Sequence, residues 1–349
     1  GTTRALTQVS YDAAGRPSCT AVRMNPATFA SPPSSACSLA TQGGYGPDRI
    51  LQTAYDAAGR AISTTTGLGT GAAATESVTY TDNGQAATLT DGDGNVSTLA
   101  YDRYDRMASL TYPGGSLSEQ YGYDAASNVT SYTDRSGRVF TNAYDNLNRL
   151  KTVYQPSPTP VQAYTYDNLN RMLTVNNYTT GTITMTWDIL GRMISQDGVL
   201  GAMTFEYDIG GRRTGLIWPD SIKMEYAYDQ TNNVTGIYPA GGGAVSQYAY
   251  DNLGRRTMVQ RPNGVTTDYS YDDVSRLTGL SITHPTSTYD VAWSYGYNPA
   301  GQVVSQTQSN NLYNFTARTA GTTNYTNNAL NQATAAGGAT LTYNADGAL

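Results

Sequence analysis

The sequence predicts an all-β protein built from antiparallel β-hairpin repeats. Three observations lead to this class: a steady repeat period, a turn pattern inside each repeat, and strand-like residues on both sides of the turn. The unit YTYDNLNRML, at Tyr164 to Leu173, returns in closely similar form along the chain. Between Tyr80 and Tyr271 its aromatic anchor recurs every 20 to 22 residues. A period this regular is typical of a repeat architecture.

The centre of each unit is the pattern Asp-x-x-Gly/Asn-Arg, as in Asp188 to Arg192. Asp suits the first position of a type I turn because its carboxylate can accept a backbone N–H two residues on. Gly or Asn then suits the left-handed position, so the pattern predicts a tight hairpin with a bulge. The Arg is placed to bridge back to the Asp. An exposed pair of this kind stabilises by about 0 to 1 kcal/mol.

Short alternating runs, such as Thr184 to Trp187, flank the turns and predict strands. A second turn closes the other end of the unit, with Pro in Tyr112-Pro113-Gly114-Gly115 or with Asp and Gly in Asp134 to Arg138. Parallel strands need a crossover of a dozen or more residues, for which the unit has no room. The chain is therefore predicted to run as an antiparallel meander, and because strands twist with one hand, so long a sheet must coil.

The YDxxGR unit at this spacing resembles the YD repeats of the Rhs family. The same general repeat is shared by bacterial Rhs polymorphic toxins, shell-forming subunits of insecticidal Tc toxins, wall-associated YD-repeat proteins and animal teneurins. The resemblance covers nearly the whole chain and implies a coiled sheet that is part of a hollow shell. The repeat-defining structural residues that we predict are Tyr144, Asp145 and Arg149; Tyr166, Asp167, Asn170 and Arg171; Trp187, Asp188, Gly191 and Arg192; and Tyr250, Asp251, Gly254 and Arg255.

The aromatic composition is unusual, since 29 tyrosines stand against 4 phenylalanines. Tyrosine suits a position where the ring is buried and the hydroxyl reaches a partner or water. The imbalance predicts a sheet whose two faces are each partly wet, rather than a dry two-sheet sandwich. The net charge of −6 and the near absence of lysine, with only Lys151 and Lys223, disfavour nucleic-acid binding.

The repeat pattern divides the chain into four predicted segments. Residues 1–16 hold the end of a preceding repeat and the first YD unit, 17–54 an irregular insertion with the cysteine pair, 55–296 regular YD repeats, and 297–349 degenerate, truncated repeats. The step from Tyr11 to Tyr55 is twice the usual period, so the insertion either replaces a repeat or lies between two.

The last segment keeps the repeat frame but changes its residues. Tyr-Asp is replaced there by Tyr297-Asn298, Tyr325-Thr326 and Tyr343-Asn344. The repeat frame is already running at the first residues and stops within a unit. We expect the chain to be a segment of a longer polypeptide.

Cys19 and Cys37 lie in the irregular insertion. Two cysteines that span a loop in a protein of exported type predict a disulfide. Under the chain-entropy model such a bond stabilises by about 3 kcal/mol. The alternative is a pair of unlinked small apolar side chains.

The sequence offers little for catalysis or metal binding. A nucleophile–histidine relay would have to use the single histidine, His284, which precedes Pro285 and is interpreted as a loop residue. One histidine and two distant cysteines do not supply a structural zinc site. Asp91 to Asn95 begins like a calcium loop but lacks the later ligands, so we interpret it as a turn. No catalytic residue, cofactor or metal is predicted.

The resemblance implies a non-enzymatic shell segment of a secreted bacterial Rhs/YD-repeat protein that encloses its own C-terminal toxin or another cargo. That cargo is absent here, as is a DPxxG-type end; secretion machinery is a further expected partner, and no membrane span is expected. The alternative is an extracellular or cell-surface structural or adhesive protein that contacts carbohydrate or neighbouring cells through stacked aromatic residues. With only Trp187, Trp218 and Trp293 as tryptophans, the sequence favours structural stacking.

Overall fold

The computed structural model describes residues 5–155, 160–313, 322–345 and 347–348. The chain forms two compact units. Unit 1 comprises Gly1–Thr141, Tyr297–Gln302 and Thr319–Leu349, and unit 2 comprises Asn142–Gly296 and Val303–Arg318. The described residues contain 29 strands and three single-turn 3-10 helices, at Pro26–Thr28, Ser287–Tyr289 and Asn311–Tyr313. The prediction of an all-β class is confirmed.

The strands are short, and their bounds follow the repeat. They are β1 Leu6–Tyr11, β2 Pro17–Arg23, β3 Arg49–Tyr55, β4 Ala61–Thr66, β5 Ala74–Tyr80, β6 Ala86–Thr90, β7 Val96–Tyr101, β8 Met107–Thr111, β9 Ser118–Tyr123, β10 Val129–Thr133, β11 Val139–Tyr144, β12 Leu150–Tyr154, β13 Pro160–Tyr166, β14 Met172–Asn177, β15 Gly181–Trp187, β16 Met193–Gly198, β17 Gly201–Tyr207, β18 Arg213–Ile217, β19 Lys223–Tyr228, β20 Val234–Pro239, β21 Ser246–Tyr250, β22 Arg256–Gln260, β23 Thr266–Tyr271, β24 Leu277–Thr283, β25 Val291–Tyr297, β26 Val303–Gln308, β27 Tyr325–Asn327, β28 Ala333–Ala336 and β29 Ala339–Thr340.

Strands β1 to β26 belong to one sheet, and β27 to β29 form a second, three-stranded sheet. Consecutive strands pair antiparallel, as in β13 with β14 and β14 with β15. The register shifts at the aromatic anchor of each YD hairpin, for example between Thr165 and Tyr166. The turn residue in the left-handed region has a φ of 63° at Asn170 and 81° at Gly191. The predicted meander of bulged hairpins is therefore confirmed.

The two faces of the sheet differ in chemistry. In unit 2 one face carries cross-strand rows of aromatic and aliphatic side chains. Examples are Tyr164, Val175 and Ile183, and Phe205, Leu216 and Met224. The opposite face carries rows of hydroxyl side chains, such as Thr165, Thr174 and Thr184, and Thr186, Ser195 and Thr204. Alternation along each strand separates the apolar from the polar residues, so the two faces differ in chemistry although residues on both are partly exposed.

A dry core is nearly absent from the regular repeats. Among the described residues between 80 and 280, Leu216, Val259 and Val265 are the apolar residues that are buried. Most other side chains of the apolar face are half-buried. Two sheets packed face to face would bury one face of every strand. The described strands of the regular repeats do not show such a buried face.

The doubled spacing between the anchors Tyr11 and Tyr55 is caused by one long loop. β2 and β3 pair directly, with Cys19 opposite Gln52, so the extra residues form a long connection inside one repeat. The segment predicted to be irregular, residues 17–54, is too wide, because it begins in β2 and ends in β3. The irregular part is residues 24–48, which we call the β2–β3 loop.

The repeat frame predicted at Tyr325-Thr326 is wrong by two residues. The turn begins at Asn328, whose N–H donates to the Gln332 carbonyl at 3.0 Å. The side-chain Oδ1 of Asn328 accepts N–H bonds from Leu330 and Gln332, in the manner of the turn Asp in other repeats. Without a Tyr-Asp pair, the sequence alone does not distinguish the two frames.

Candidate functional site

The YD turns form the most regular arrangement of polar side chains in the molecule. In the hairpin between β13 and β14, the N–H of Asp167 donates to the Arg171 carbonyl at 2.9 Å. Oδ1 of Asp167 accepts the N–H groups of Leu169 and Arg171 at 2.8 and 2.9 Å, and Oδ2 accepts Nε of Arg171 at 2.7 Å. One carboxylate thus accepts two backbone N–H groups of the turn and the side chain of its Arg.

Ten Asp–Arg pairs of this kind occur among the described residues, with N···O distances of 2.6 to 2.8 Å. At Asp188 the pKa is lowered first by the backbone N–H of Arg192, against partial burial, and further by the Arg192 side chain. The predicted bridge between Arg and Asp is present. The backbone bonds to the same carboxylate make it a turn-forming unit rather than a simple surface ion pair.

A second set of bonds joins each hairpin to the one before it. The hydroxyl of Tyr166 donates to the Leu150 carbonyl at 2.9 Å, and Leu150 directly follows the Arg of the preceding turn. The same bond, at 2.6 to 2.9 Å, is made by Tyr55, Tyr80, Tyr101, Tyr123, Tyr166, Tyr207, Tyr228, Tyr250 and Tyr271. Trp187 makes it through Nε1, which donates to the Met172 carbonyl at 2.8 Å. The excess of Tyr over Phe therefore has a structural cause.

The arginines reach in the opposite direction along the chain, to the next hairpin. Nη1 of Arg149 donates to the Asp167 carbonyl at 2.9 Å, and its guanidinium lies 4.8 Å from the centre of the Tyr166 ring. Arg171 repeats both contacts with Asp188 and Trp187. We call this set of Tyr hydroxyl, Arg hydrogen-bond and Arg–ring contacts the repeat ladder.

The aromatic residues predicted to define the repeat end strands, and the Asp, Gly, Asn and Arg residues predicted with them lie in the turns that follow. Tyr144 ends β11 and leads into the Asp145–Arg149 turn, and Asp251 and Arg255 form the same pair in the hairpin between β21 and β22. Gly254 has a φ of 73°. Where Asn233 replaces the Arg, its amide still donates to Asp229 at 3.0 Å and Tyr250 still donates to the Val234 carbonyl. The Tyr bond is thus the more constant part of the ladder.

The β2–β3 loop is the second built feature. Cys19 and Cys37 form a disulfide in the structure, which ties β2 to the loop. Arg23, with 0% of its surface exposed, pairs with Asp48 at 2.6 Å. Its guanidinium also donates to Gln8 Oε1 and to the carbonyls of Ser35 and Ser38.

The Asp48 carboxylate is equally well occupied. It accepts the backbone N–H groups of Met24 and Ala40 at 2.9 and 2.8 Å. Burial raises the pKa of Asp48, and these two N–H groups together with Arg23 reverse the effect and lower it. The pair is therefore charged and fully satisfied inside unit 1.

A short aromatic row lies on strands β9 to β11. The ring centres of Tyr121 and Tyr132 are 5.2 Å apart, and those of Tyr132 and Phe140 are 6.1 Å apart. Glu119 accepts the hydroxyls of Tyr112 and Tyr121 at 3.0 and 2.9 Å. Burial, followed by this hydrogen bond, raises the pKa of Tyr121.

The groups considered for chemistry lie apart from one another. His284 lies in the connection between β24 and β25. Its backbone N–H donates to Oδ1 of Asp290 at 2.6 Å, and its ring Nδ1 accepts the backbone N–H of Thr286. In the part of the chain that the structure describes, no three His, Cys, Asp or Glu side chains are grouped to hold a metal ion. No helix within the described ranges has the length and apolarity to cross a membrane.

A family model, the teneurin YD-shell, matches residues 2–182 and 116–324 of this sequence. The chain belongs to the teneurin YD-shell family. No curated protein sequence matches this YD-shell chain.

Solved structures share the fold. TcdB2-TccC3-Cdc42 aligns with a TM-score of 0.68 and 15% identity, over 95% of this chain and 19% of that chain. TcdB2-TccC3-TEV aligns with a TM-score of 0.53 and 14% identity, over 95% of this chain and 21% of that chain. TcdB2-TccC3 without hypervariable C-terminal region aligns with a TM-score of 0.52 and 14% identity, over 94% of this chain and 23% of that chain. At these identities the likeness shows the fold alone, and this YD-shell chain spans about a fifth of each neighbour's length.

Proposed function

We propose that this chain is a non-enzymatic stretch of the wall of a secreted YD-shell that encloses a polypeptide cargo. Family membership and fold already give it a structural, shell-type role. The observation that carries the finer proposal is the burial pattern of the regular repeats. Their apolar face is half-buried, and few of their described apolar residues are fully buried. A layer of this kind fits a wall that separates two spaces.

The repeat ladder explains how such a layer holds its shape without a packed core. In most of the described YD hairpins a Tyr hydroxyl bonds the hairpin to the previous one, and in several an Arg bonds it to the next one. In repeat proteins each unit is stabilised mainly by its neighbours. Directional hydrogen bonds between neighbours would replace part of the apolar burial on which a globular domain depends.

In this proposal the cargo would lie C-terminal to the wall. One neighbour, TcdB2-TccC3 without hypervariable C-terminal region, is a protein that has a variable C-terminal region. The contrast between an apolar and a hydroxyl-rich sheet face supports a wall with two different environments.

The test uses the intact polypeptide that carries this sequence. We expect cryo-electron microscopy to show a single-layered wall around an internal space. Limited proteolysis should spare a downstream segment in the native protein and degrade it once the wall is opened by denaturant. A second sheet packed against the apolar face throughout 80–280, or a downstream segment digested equally fast before and after opening, would contradict the proposal.

The aromatic row of Tyr121, Tyr132 and Phe140 supports a second candidate, an adhesive protein that stacks sugars. Glu119, next to this row, already accepts the hydroxyls of Tyr112 and Tyr121, which leaves fewer polar groups to orient a sugar. Binding to a glycan array that is lost in Tyr132→Ala and kept in Tyr164→Ala would favour this candidate over the closed wall.

A further inference from the structure

The β2–β3 loop is held on the sheet by two independent attachments. One is covalent, at Cys37. The other is the buried Arg23, whose guanidinium binds the carbonyls of Ser35 and Ser38 on either side of that cysteine. Both attachments therefore act on the same short stretch of the loop.

Several further bonds fix the loop without involving sulfur. Gln8 on β1 donates through its amide to the Pro33 carbonyl at 2.8 Å, and the hydroxyl of Ser10 accepts the N–H of Ala36 at 2.8 Å. The N–H of Ala40 donates to Asp48. Beneath these bonds Ala36 packs against Cys19, Ala21 and Ile50 in a small closed core.

We propose that the β2–β3 loop is a doubly locked flap, which the Arg23–Asp48 pair positions on its own and which the Cys19–Cys37 disulfide locks afterwards. The loop then keeps its place in a reducing compartment. It opens only when the disulfide and the buried ion pair are both lost.

The order of events follows from the geometry. Because Ser35 and Ser38 are anchored by Arg23, the Cys37 thiol is brought to Cys19 before any sulfur bond exists. Exchange with a disulfide oxidant such as oxidised glutathione then forms the Cys19–Cys37 bond. Two protons and two electrons leave the protein thiols, and the oxidant is reduced to two thiols. The bond records passage into an oxidising compartment without being needed for the fold of the flap.

Hydrogen exchange of the loop amides tests this directly. The peptide covering residues 33–41 is followed by mass spectrometry in the whole chain, in wild type and in the disulfide-free variant Cys19→Ala/Cys37→Ala. Each is also prepared with Arg23→Met. Peptides from β5 to β8 serve as the control for the fold of the remaining repeats.

When the disulfide alone is removed, we expect residues 33–41 to stay at least about 10-fold better protected than in the variant that lacks both attachments, since the ion pair persists. In the variant that lacks both attachments we expect exchange to rise by about 100-fold or more, because a broken buried pair is strongly destabilising. Loss of protection in Cys19→Ala/Cys37→Ala alone would overturn the proposal. Retained protection in the combined variant, with β5 to β8 unchanged, would overturn it as well.

Discussion

The flap region and the regular repeats use the same hairpins but stabilise them differently. At β1 to β3 the β2–β3 loop covers one sheet face, and Cys19, Ala21, Ala36 and Ile50 are almost completely buried. In β13 to β17 the corresponding face carries threonine and serine pairs that stay partly exposed, such as Thr165 with Thr174 at 2.7 Å. The first region is a small globular core, whereas the second depends on bonds between neighbouring hairpins.

The difference shows what a YD repeat needs. A covered repeat can bury an arginine and several apolar residues, because the added loop excludes water from one face. An uncovered repeat keeps its charges at the turn, where Asp and Arg satisfy the backbone, and places a Tyr hydroxyl on the preceding hairpin. The same sheet can therefore carry either kind of repeat without a change in strand pairing.

The largest contrast is expected from truncating one isoleucine in each region. Ile50→Ala leaves a cavity in the closed core and should lower the free energy of unfolding by about 2 to 4 kcal/mol. Ile183→Ala removes a half-buried side chain from the open sheet and should cost about 1 kcal/mol. Urea unfolding followed by tyrosine fluorescence measures both. Equal losses would mean that the flap does not create a separate core.

The turn glycine is expected to be the next most sensitive position. Gly191 has a φ of 81°, and nothing lies near the place where a Cβ would be, so Gly191→Val suffers from backbone strain alone. It should cost about 1 to 2 kcal/mol. Ser195→Val is the control on β16, where a β-branched residue suits a strand. If thermal melts show the control to be the worse variant, the turn assignment is contradicted.

The ladder tyrosine can be separated from a tyrosine in the same strand. Tyr166→Phe removes a bond to the preceding hairpin and should cost about 1 kcal/mol. Tyr164→Phe removes a bond to Gln162 two residues away, whose amide oxygen can turn to water, and should cost less. Thermal melts of the two variants measure the difference. Equal melting temperatures would contradict a stabilising role of the Tyr bond between hairpins.

Lowering the pH should produce the smallest of these changes in stability. Partial burial raises the pKa of Asp229, but the hydrogen bonds from Asn233 and Thr231 more than reverse this and lower it to about 2. Because the folded pKa lies below the unfolded value of about 3.9, the contribution is present above pH 4 and is lost as the pH falls toward 2. The difference in melting temperature between wild type and Asp229→Asn should shrink across that window. A difference that is the same at pH 6 and pH 2.5 would be contrary to this.

Local chemistry made much of the fold predictable. The turn residues Asp, Gly and Asn encode the hairpins directly, and a carboxylate five residues from an Arg, counting both, predicts their bridge. The cysteine pair was also named from its position in the insertion, and the intact mass with and without reductant and alkylation remains its test in purified protein. Two free thiols in oxidised protein would contradict it.

The parts that sequence did not predict depend on contacts between distant residues. The partner of a Tyr hydroxyl is a backbone carbonyl in another hairpin, and nothing in the Tyr residue itself names it. Its signal is the narrow range of spacing, 15 to 17 residues between Tyr101 and Tyr271, from the Arg of a YD turn to the next aromatic anchor. Arg23 and Asp48 were overlooked because they lie 25 residues apart. Their only local signal is that they flank a segment rich in Pro, Ser and Ala.

The central claim, that each hairpin is held by its neighbours through the repeat ladder, is tested most directly by hydrogen exchange in Arg192→Met. Arg192 pairs with Asp188 in its own turn and donates to the Asp208 carbonyl of the next hairpin, beside the Tyr207 ring. We predict faster exchange both in residues 188–193 and in residues 207–213, with the Asp145 turn unchanged. Ile189→Ser, at an exposed position of the same turn, is the control and should change neither segment. Faster exchange confined to residues 188–193 would contradict the ladder.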